Sequence, residues 1–392
     1  MVNRILSLFL LLILLTSCSS NEKKYDYEEE RSYKEYVDIS SQKENQQRPQ
    51  STQQQTTRNS QSTTMQTSQQ QKSETETTKS EDYDPEADYE FDRETGGTTV
   101  DVVDSEFELA KGAADAPEGT PTGKDGETAH GPWDTRLVLA TSEDSVNWEK
   151  TELVLADQAD VPSLVYDSEG TLFLYYVTWA GKISNRIVVA VSEDDGESWS
   201  FKKVDLPSEK GWSAIVDPAV VLLDDGTLRM YATLDEGDGE GPATHSFISK
   251  DGITFEIEDG VRFDSENYVL DPNVLLIGDT WHYFAGGEGA KNYHATSSDG
   301  LDFEEEEKIS LDNLMFSNGI AVEGGARYYA FEFSVDDAIY SLFSEDGSEW
   351  EVEGVVLELE ESDVETRAVK DASVIQLKDE SYLMVYTTGI VE

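Results

Sequence analysis

The chain reads as an all-β protein. We expect a five-bladed β-propeller, closed by pairing of its N- and C-terminal strands and preceded by a disordered tether. Three observations predict this. A Ser-Asp phrase returns five times, each copy on the heels of an apolar run. A strand–turn–strand phrase alternates with it. The series opens on the second half of a unit and closes on the first half of one, so the two ends complete each other.

The Ser-Asp phrase appears as Ser142-Glu143-Asp144 leading to Trp148, and as Ser192-Glu193-Asp194-Asp195-Gly196 leading to Trp199. It returns as Ser249-Lys250-Asp251-Gly252 before Phe255, as Ser298-Asp299-Gly300 before Phe303, and as Ser344-Glu345-Asp346-Gly347 before Trp350. Successive aspartates (144, 194, 251, 299, 346) are 50, 57, 48 and 47 residues apart. That period fits one four-stranded blade. The alternating phrase spans Val161 to Tyr176, Pro218 to Tyr231, Pro272 to Phe284, Asn318 to Tyr329 and Ala372 to Tyr386. Its turns hold Glu169-Gly170, Asp225-Gly226, Gly278-Asp279, Gly324-Gly325 and Lys378-Asp379, which are hairpin signals. Thr135 to Lys150 lacks a preceding hairpin, and Asp371 to Thr388 lacks a following Ser-Asp phrase. Joining them yields a closed ring over residues 130–392 with protected sheet edges.

Before the repeat the composition changes twice. Arg4 and the apolar run Ile5 to Leu15 form an export signal too short to span a bilayer. Leu15-Thr16-Ser17-Cys18 resembles the lipobox of bacterial lipoproteins. That resemblance implies a signal peptide at 1–17, lipidation of Cys18 and an extracytoplasmic, lipid-anchored protein at the cell envelope. Residues 18–129 read as a tether. Gln, Ser and Thr dominate 41–81, and apolar side chains are too sparse to offset ordering entropy. Coil-like, the segment reaches on the order of 60 Å.

Charge excludes several classes. The chain carries 82 acidic and 29 basic side chains, a net −53. Residues 131–392 hold 56 of the acidic and 16 of the basic ones, a net −40. Nucleic acid and anionic lipid head groups are poor partners for such a surface. Membrane attachment is expected through the N-terminal lipid alone, and the domain as a monomer. One cysteine and four histidines argue against a disulfide or a Cys- or His-based metal centre. The acidity itself fits adaptation to concentrated salt, or a demand for divalent cations.

The Ser-Asp phrases read as structural turns: Asp caps backbone N–H groups, Gly takes the left-handed conformation, and the aromatic plugs the seam between blades. The inner strands are the place for chemistry. Aligning the hairpins puts Asp160, Asp217, Asp271, Ser317 and Asp371 at the channel-facing start of the first strands. Four carboxylates in one pocket shift each other's pKa values, as glycoside hydrolysis requires.

The grammar of Asp217-Pro218, Asp225-Gly226, Tyr231 and Ser249 to Phe255 resembles the five-bladed superfamily of glycoside hydrolase families 43 and 32, over about two thirds of the chain. The Ser-Asp phrase also resembles the Asp box of six-bladed sialidases. The first resemblance implies Asp160 as base or nucleophile, Asp217 as modulator and Asp271 as general acid. Asp271 stands where that superfamily has Glu, and the first blade reads Asp160-Val161-Pro162 rather than Asp-Pro. Glu288 is a second candidate acid. Asp371, Trp179, Trp212, His245 and His294 are candidate substrate contacts. The two histidines lie four residues before Ser249 and Ser298 and would line the channel from adjacent blades.

The expected function is therefore a surface-anchored, glycoside hydrolase-like lipoprotein acting on an extracellular oligosaccharide or polysaccharide. The alternatives are a non-catalytic glycan-binding or scaffold propeller, and a sialidase-like or calcium-dependent propeller. No cofactor is expected apart from possible calcium, which clustered Asp oxygens suit.

Overall fold

The computed structural model describes residues 96–116, 130–180, 186–206, 212, 214–235, 242–265, 269–287, 291–333 and 335–391. All regular elements among them are strands, in five sheets. The first blade runs outward from the axis as β5 (Ala159–Tyr166), β6 (Leu172–Thr178), β7 (Arg186–Ser192) and β8 (Ser198–Lys203). The second is β9 (Ala214–Leu222), β10 (Leu228–Asp235), β11 (Ala243–Ser249) and β12 (Glu256–Ile257). The third is β13 (Leu270–Ile277), β14 (Thr280–Gly287), β15 (Lys291–Ser297) and β16 (Glu304–Glu305). The fourth is β17 (Leu314–Val322), β18 (Gly325–Glu332), β19 (Ala338–Ser344) and β20 (Glu351–Glu358).

The fifth blade closes the ring. Its inner strands are the last of the chain, β21 (Thr366–Gln376) and β22 (Tyr382–Gly389). Its outer strands are β3 (Thr135–Ser142) and β4 (Trp148–Asp157). β22 pairs antiparallel with β3 from Tyr382↔Ser142 to Gly389↔Thr135. The two halves of the split unit thus join as the repeat order predicts, and opening this blade would break an eight-residue ladder. Among the described residues five sheets close the ring, which leaves no place in it for the sixth blade of a sialidase-like reading.

Burial follows the seams. Five apolar clusters occupy the five gaps between blades, and each draws on both neighbours. Between the first and second blades, Phe173 and Tyr175 of β6 meet Met230, Phe247 and Phe255. Aliphatic side chains are the more numerous, but nearly all of the largest fully buried ones are aromatic, each filling a wide wedge with few rotamers.

The Ser-Asp turns lock the outer ends of these seams. In the second blade, Ser249 Oγ accepts from Gly252 N at 2.9 Å, and Asp251 Oδ1 accepts from Ile253 N and Thr254 N at 2.9 and 2.8 Å. Tyr175 of the preceding blade then donates its hydroxyl to Gly252 O at 2.7 Å. Gly252 has φ +72°, and a Cβ there would sit 2.6 Å from the Phe173 ring, so two constraints select glycine. In the fourth copy the serine is Ser297 rather than Ser298: Ser297 Oγ accepts from Gly300 N at 3.0 Å. Adjacent serines left the sequence frame open by one.

The tether boundary at 129 is also corrected. β1 (Thr98–Thr99) adds in parallel to β4, and β2 (Asp101–Ser105) adds in parallel to β8. Val100 and Leu109 are buried in the seam between the fifth and first blades. Arg136, fully buried, holds Asp157 at 2.9 Å and donates to Gly96 O, while Asp157 accepts from Gly112 N. The segment is too polar and short to announce a domain. It is ordered because it completes sheets that already exist. Residues 1–95 and 117–129 lie outside the described residues, and so does Cys18.

Candidate functional site

Every inner strand breaks its ladder at the same level. The shifts fall at Val161-Pro162 in β5, Asp217-Pro218 in β9, Asp271-Pro272 in β13, Ser317 in β17 and Asp371-Ala372 in β21. Val161, Asp217, Asp271 and Asp371 take φ of +47°, +56°, +52° and +48°. A bulge tolerates proline, which brings no N–H to the ladder, and it re-aims the side chains beside it. It is what turns a row of β-strand residues into a ring at the channel mouth. In this register Val161, not Asp160, is the counterpart of Asp217, so Asp160 enters from one residue earlier.

The aspartates gather nonetheless. Asp160 and Asp217 are buried, and Asp271 and Asp371 are nearly so. Burial pushes the Asp160 carboxyl up to about 8; Lys370 opposes this, while Asp371 and Asp217 reinforce it. Burial also raises Asp271 well above the carboxylate range, with Asp217 and Asp371 adding to it. Both shifts favour the protonated form, which can donate as well as accept.

Lys370 is the member that sequence reasoning missed. It precedes Asp371 on β21, and its Nζ lies 3.2 Å from Asp371 Oδ2. The contact is electrostatic rather than a directed hydrogen bond. Burial works to lower the pKa of this lysine, but Asp371, Asp336, Asp160 and Asp271 outweigh it and the net shift is upward. The signal in the sequence was a lysine beside the aligned aspartate, present in the fifth blade alone.

A second missed feature is a belt of inter-blade bonds at the bulge level. Leu164 N donates to Ser373 Oγ (2.9 Å), Val220 N to Ser163 Oγ (3.0 Å), and Val374 N to Asn318 Oδ1 (3.0 Å). Asn273 Nδ2 donates to Ser317 O at 2.7 Å. Ser163, Asn273, Asn318 and Ser373 occupy one register; the second blade has Ala219 there. Asp217 supplies that link instead, its Oδ2 accepting from Asp271 N at 3.3 Å. A polar residue at one register in otherwise apolar first strands was the legible trace of this belt.

The space at the axis is small. A cavity of about 30 Å³, lined by Pro162, Pro218, Asp271, Pro272, Phe316 and Asp371 among others, has room for about one water. The larger cavity, about 580 Å³, lies elsewhere, in the seam between the fourth and fifth blades beside Trp148, Lys150, Leu357 and Glu365. Lys150 and Glu365 already pair there at 2.6 Å, so that cavity brings together none of the predicted residues.

The remaining candidates are dispersed. Trp179 follows β6 at the mouth end, where its ring meets Trp133 edge to face at 6.1 Å. Trp212 packs edge to face on Phe247 at 5.9 Å, in the seam between the first and second blades. His245 and His294 do not line the channel. Both lie on the third strand of their blades, two strands from the axis. His294 Nε2 is 3.0 Å from His282 Nδ1, and its ring stacks on Phe284. Burial, then His282, brings the His294 pKa down to about 4. Glu288 lies outside the described residues. Among the described residues, no group of three or more His, Cys, Asp or Glu side chains is arranged to hold a metal ion.

Three comparisons place these features among known proteins. Residues 125–326 match the model of the BNR repeat-like domain family. No curated protein matches the chain in sequence. Solved structures similar to this one include a thermostable family-43 glycoside hydrolase, 14% identical over 59% of this chain and 88% of that one, with a TM-score of 0.47. A protein of unknown function from Dyadobacter fermentans is 13% identical over 65% and 84%, also at 0.47. An α-L-arabinofuranosidase from Clostridium thermocellum is 15% identical over 57% and 80%, at 0.44.

Proposed function

The chain belongs to the family of BNR repeat-like domains, and from that premise we propose that its propeller engages an extracellular glycan at the channel mouth and hydrolyses it there. The observation that carries the reading is the bulge ring. It gathers carboxyl groups from four different blades at one level, and two of them, Asp160 and Asp271, are shifted upward by burial.

In the proposed reaction Asp271 gives its proton to the leaving glycosidic oxygen as the C–O bond breaks. Asp160, once ionised, takes a proton from the water that adds to the sugar carbon. Because Asp160 ionises near pH 8, the base form accumulates only on the alkaline side. Asp217 holds the two blades in register and adds negative charge beside both. The acidic surface discourages anionic polymers and suits neutral or cationic sugars.

A second reading is favoured by one observation. The axial cavity admits about one water and no sugar ring. A non-catalytic propeller would hold a glycan at the rim, against the partly exposed Trp179, which the buried Trp133 backs, without bringing a glycosidic bond to the aspartates.

Incubation with a panel of neutral and amino oligosaccharides from pH 6 to 9, reading released reducing ends, separates the two. Hydrolysis that rises toward pH 8 and disappears in Asp160→Asn and Asp271→Asn supports the enzyme. Sugar-dependent thermal stabilisation without turnover supports the binding propeller. Neither turnover nor stabilisation across the panel would remove glycan recognition altogether.

We place this activity outside the cytoplasm, on a lipid anchor at Cys18. The support is the sequence alone: a short apolar run ending in the sole cysteine. Incorporation of a labelled fatty acid that Cys18→Ala abolishes is the expected result; equal labelling of the variant would overturn it.

A further inference from the structure

At the channel mouth one ammonium lies against Asp371 and acts electrostatically on aspartates of three other blades. Lys370 leaves β21 one residue before the bulge and lies against Asp371 at 3.2 Å. Asp371 on its own strand touches it, and Asp336 in the β18–β19 connection, Asp160 on β5 and Asp271 on β13 act on it electrostatically. Asp217 on β9 faces Asp160 and Asp271 in turn. The ring of Phe331 lies 6.0 Å from Nζ and closes the apolar side.

We propose that Lys370 is a positioning residue, the built-in cation around which the mouth aspartates are assembled, and that it stands in for a bound divalent metal. The chemistry follows from geometry. Each of these carboxyl groups that ionises repels the others unless a positive charge lies among them. Calcium would need six to eight oxygens at bonding distance, and these aspartates are not disposed to supply even a three-residue set. The single point charge of an ammonium, on a flexible stem, meets carboxyl groups from several blades without fixed coordination. The mouth then recognises a ligand by hydroxyl hydrogen bonds rather than through a metal bridge. This inference concerns how the site is held together and does not depend on whether the glycan is cleaved.

The sign of the pH dependence separates charge from packing. Lys370 keeps its proton past the ordinary lysine range, and its benefit requires ionised carboxylates. Its contribution is thus small while the carboxyl groups are protonated, grows as they ionise, which for Asp160 begins only near pH 8, and persists until the lysine itself titrates. Melting temperatures of the full chain, wild type, Lys370→Met and Lys370→Arg, taken from pH 4 to 10, provide the test. The gap between wild type and Lys370→Met should stay nearly level up to about pH 7 and widen by about 2 °C or more between about pH 7 and pH 10, as Asp160 ionises, with Lys370→Arg recovering most of it. A gap that is constant with pH would mean packing alone and overturn the proposal. If Lys370→Met fails to fold at neutral pH, the double variant Lys370→Met/Asp371→Asn should fold, and its failure would count against the idea. Millimolar calcium against chelator should leave the wild type unmoved; a calcium-dependent rise in melting temperature would also overturn it.

Discussion

Asp160→Asn tests the electrostatics of the channel mouth with the least disturbance of its shape. In the folded protein Asp160 holds its proton to about pH 8, against an ordinary value of 3.8. Between those values the folded state binds one more proton than the unfolded chain. Stability must therefore fall as pH rises through that window, and level off above it. Each pH unit is worth about 1.4 kcal/mol, so the full window has a ceiling of roughly 6 kcal/mol. Local relaxation and water entry reduce that, and about 2–4 kcal/mol is the working expectation. For a domain of this size it corresponds to roughly 5–10 °C. Asparagine has nearly the shape of the protonated acid and never ionises. The variant should melt within about 2 °C of wild type at pH 4 and clearly above it at pH 8 to 9, by scanning calorimetry or fluorescence. Parallel melting curves across that range would refute the assignment of Asp160 as a buried acid. A variant less stable at every pH would instead show that its carboxylate is needed for the fold.

Three further outcomes follow from other parts of the molecule. A chain beginning at residue 130 should lose about 3 kcal/mol or more, because Val100 and Leu109 leave an existing core and the outer edges of β4 and β8 are uncovered; denaturant unfolding with and without residues 96–116 measures it. Asp251→Ala should cost about 1 kcal/mol by removing the acceptor for two turn amides, and leave the titration of Asp160 unchanged. His294→Phe should flatten the acid side of the stability curve. The folded-state pKa of His294 is depressed to about 4 by burial and His282, so its contribution is full above the ordinary imidazole value and is lost as pH falls toward 4. An unchanged acid slope in that variant would contradict this.

The fold was legible because its signals are local and repeated. A Ser-Asp turn needs four or five residues of the right type, and the ring multiplies that signal fivefold. Closure was legible from order alone, since half-units at the two ends have only each other to pair with. The N-terminal strands were not legible: Thr98–Thr99 and Asp101–Ser105 have no alternation strong enough to stand out, and they become strands by adding to β4 and β8. The site was legible in part. The aligned aspartates pointed to the mouth, but the one-residue offset of Asp160 and the reach of Lys370 depend on bulge geometry. The histidines misled because equal spacing from a turn fixes the strand and its register, not the distance from the axis. His294 stacks on Phe284 and meets His282 in a seam.

The bulge ring itself presents a choice between two explanations of its aspartates, and the first blade decides between them. Asp is among the few residues that tolerate a left-handed backbone, so Asp217, Asp271 and Asp371 have a conformational reason to be where they are. If that were the whole reason, the first blade would carry Asp, Asn or Gly at position 161. It carries Val161, a β-branched residue at φ +47°, which is a costly occupant of that region. Its carboxylate comes from Asp160, one residue earlier, and still reaches the electrostatic neighbourhood of Asp217 and Asp371. The ring has thus kept a carboxyl group in this blade where the backbone conformation did not call for one, and has accepted strain beside it. A requirement on the side chain explains this; a requirement on the turn does not. Val161→Asn should relieve the strain and raise stability by about 1 kcal/mol, with the Asp160 titration intact. A loss of stability in that variant would mean that the valine side chain, packed at the axial cavity, is what the position demands, and the case for a selected carboxyl ring would fall with it.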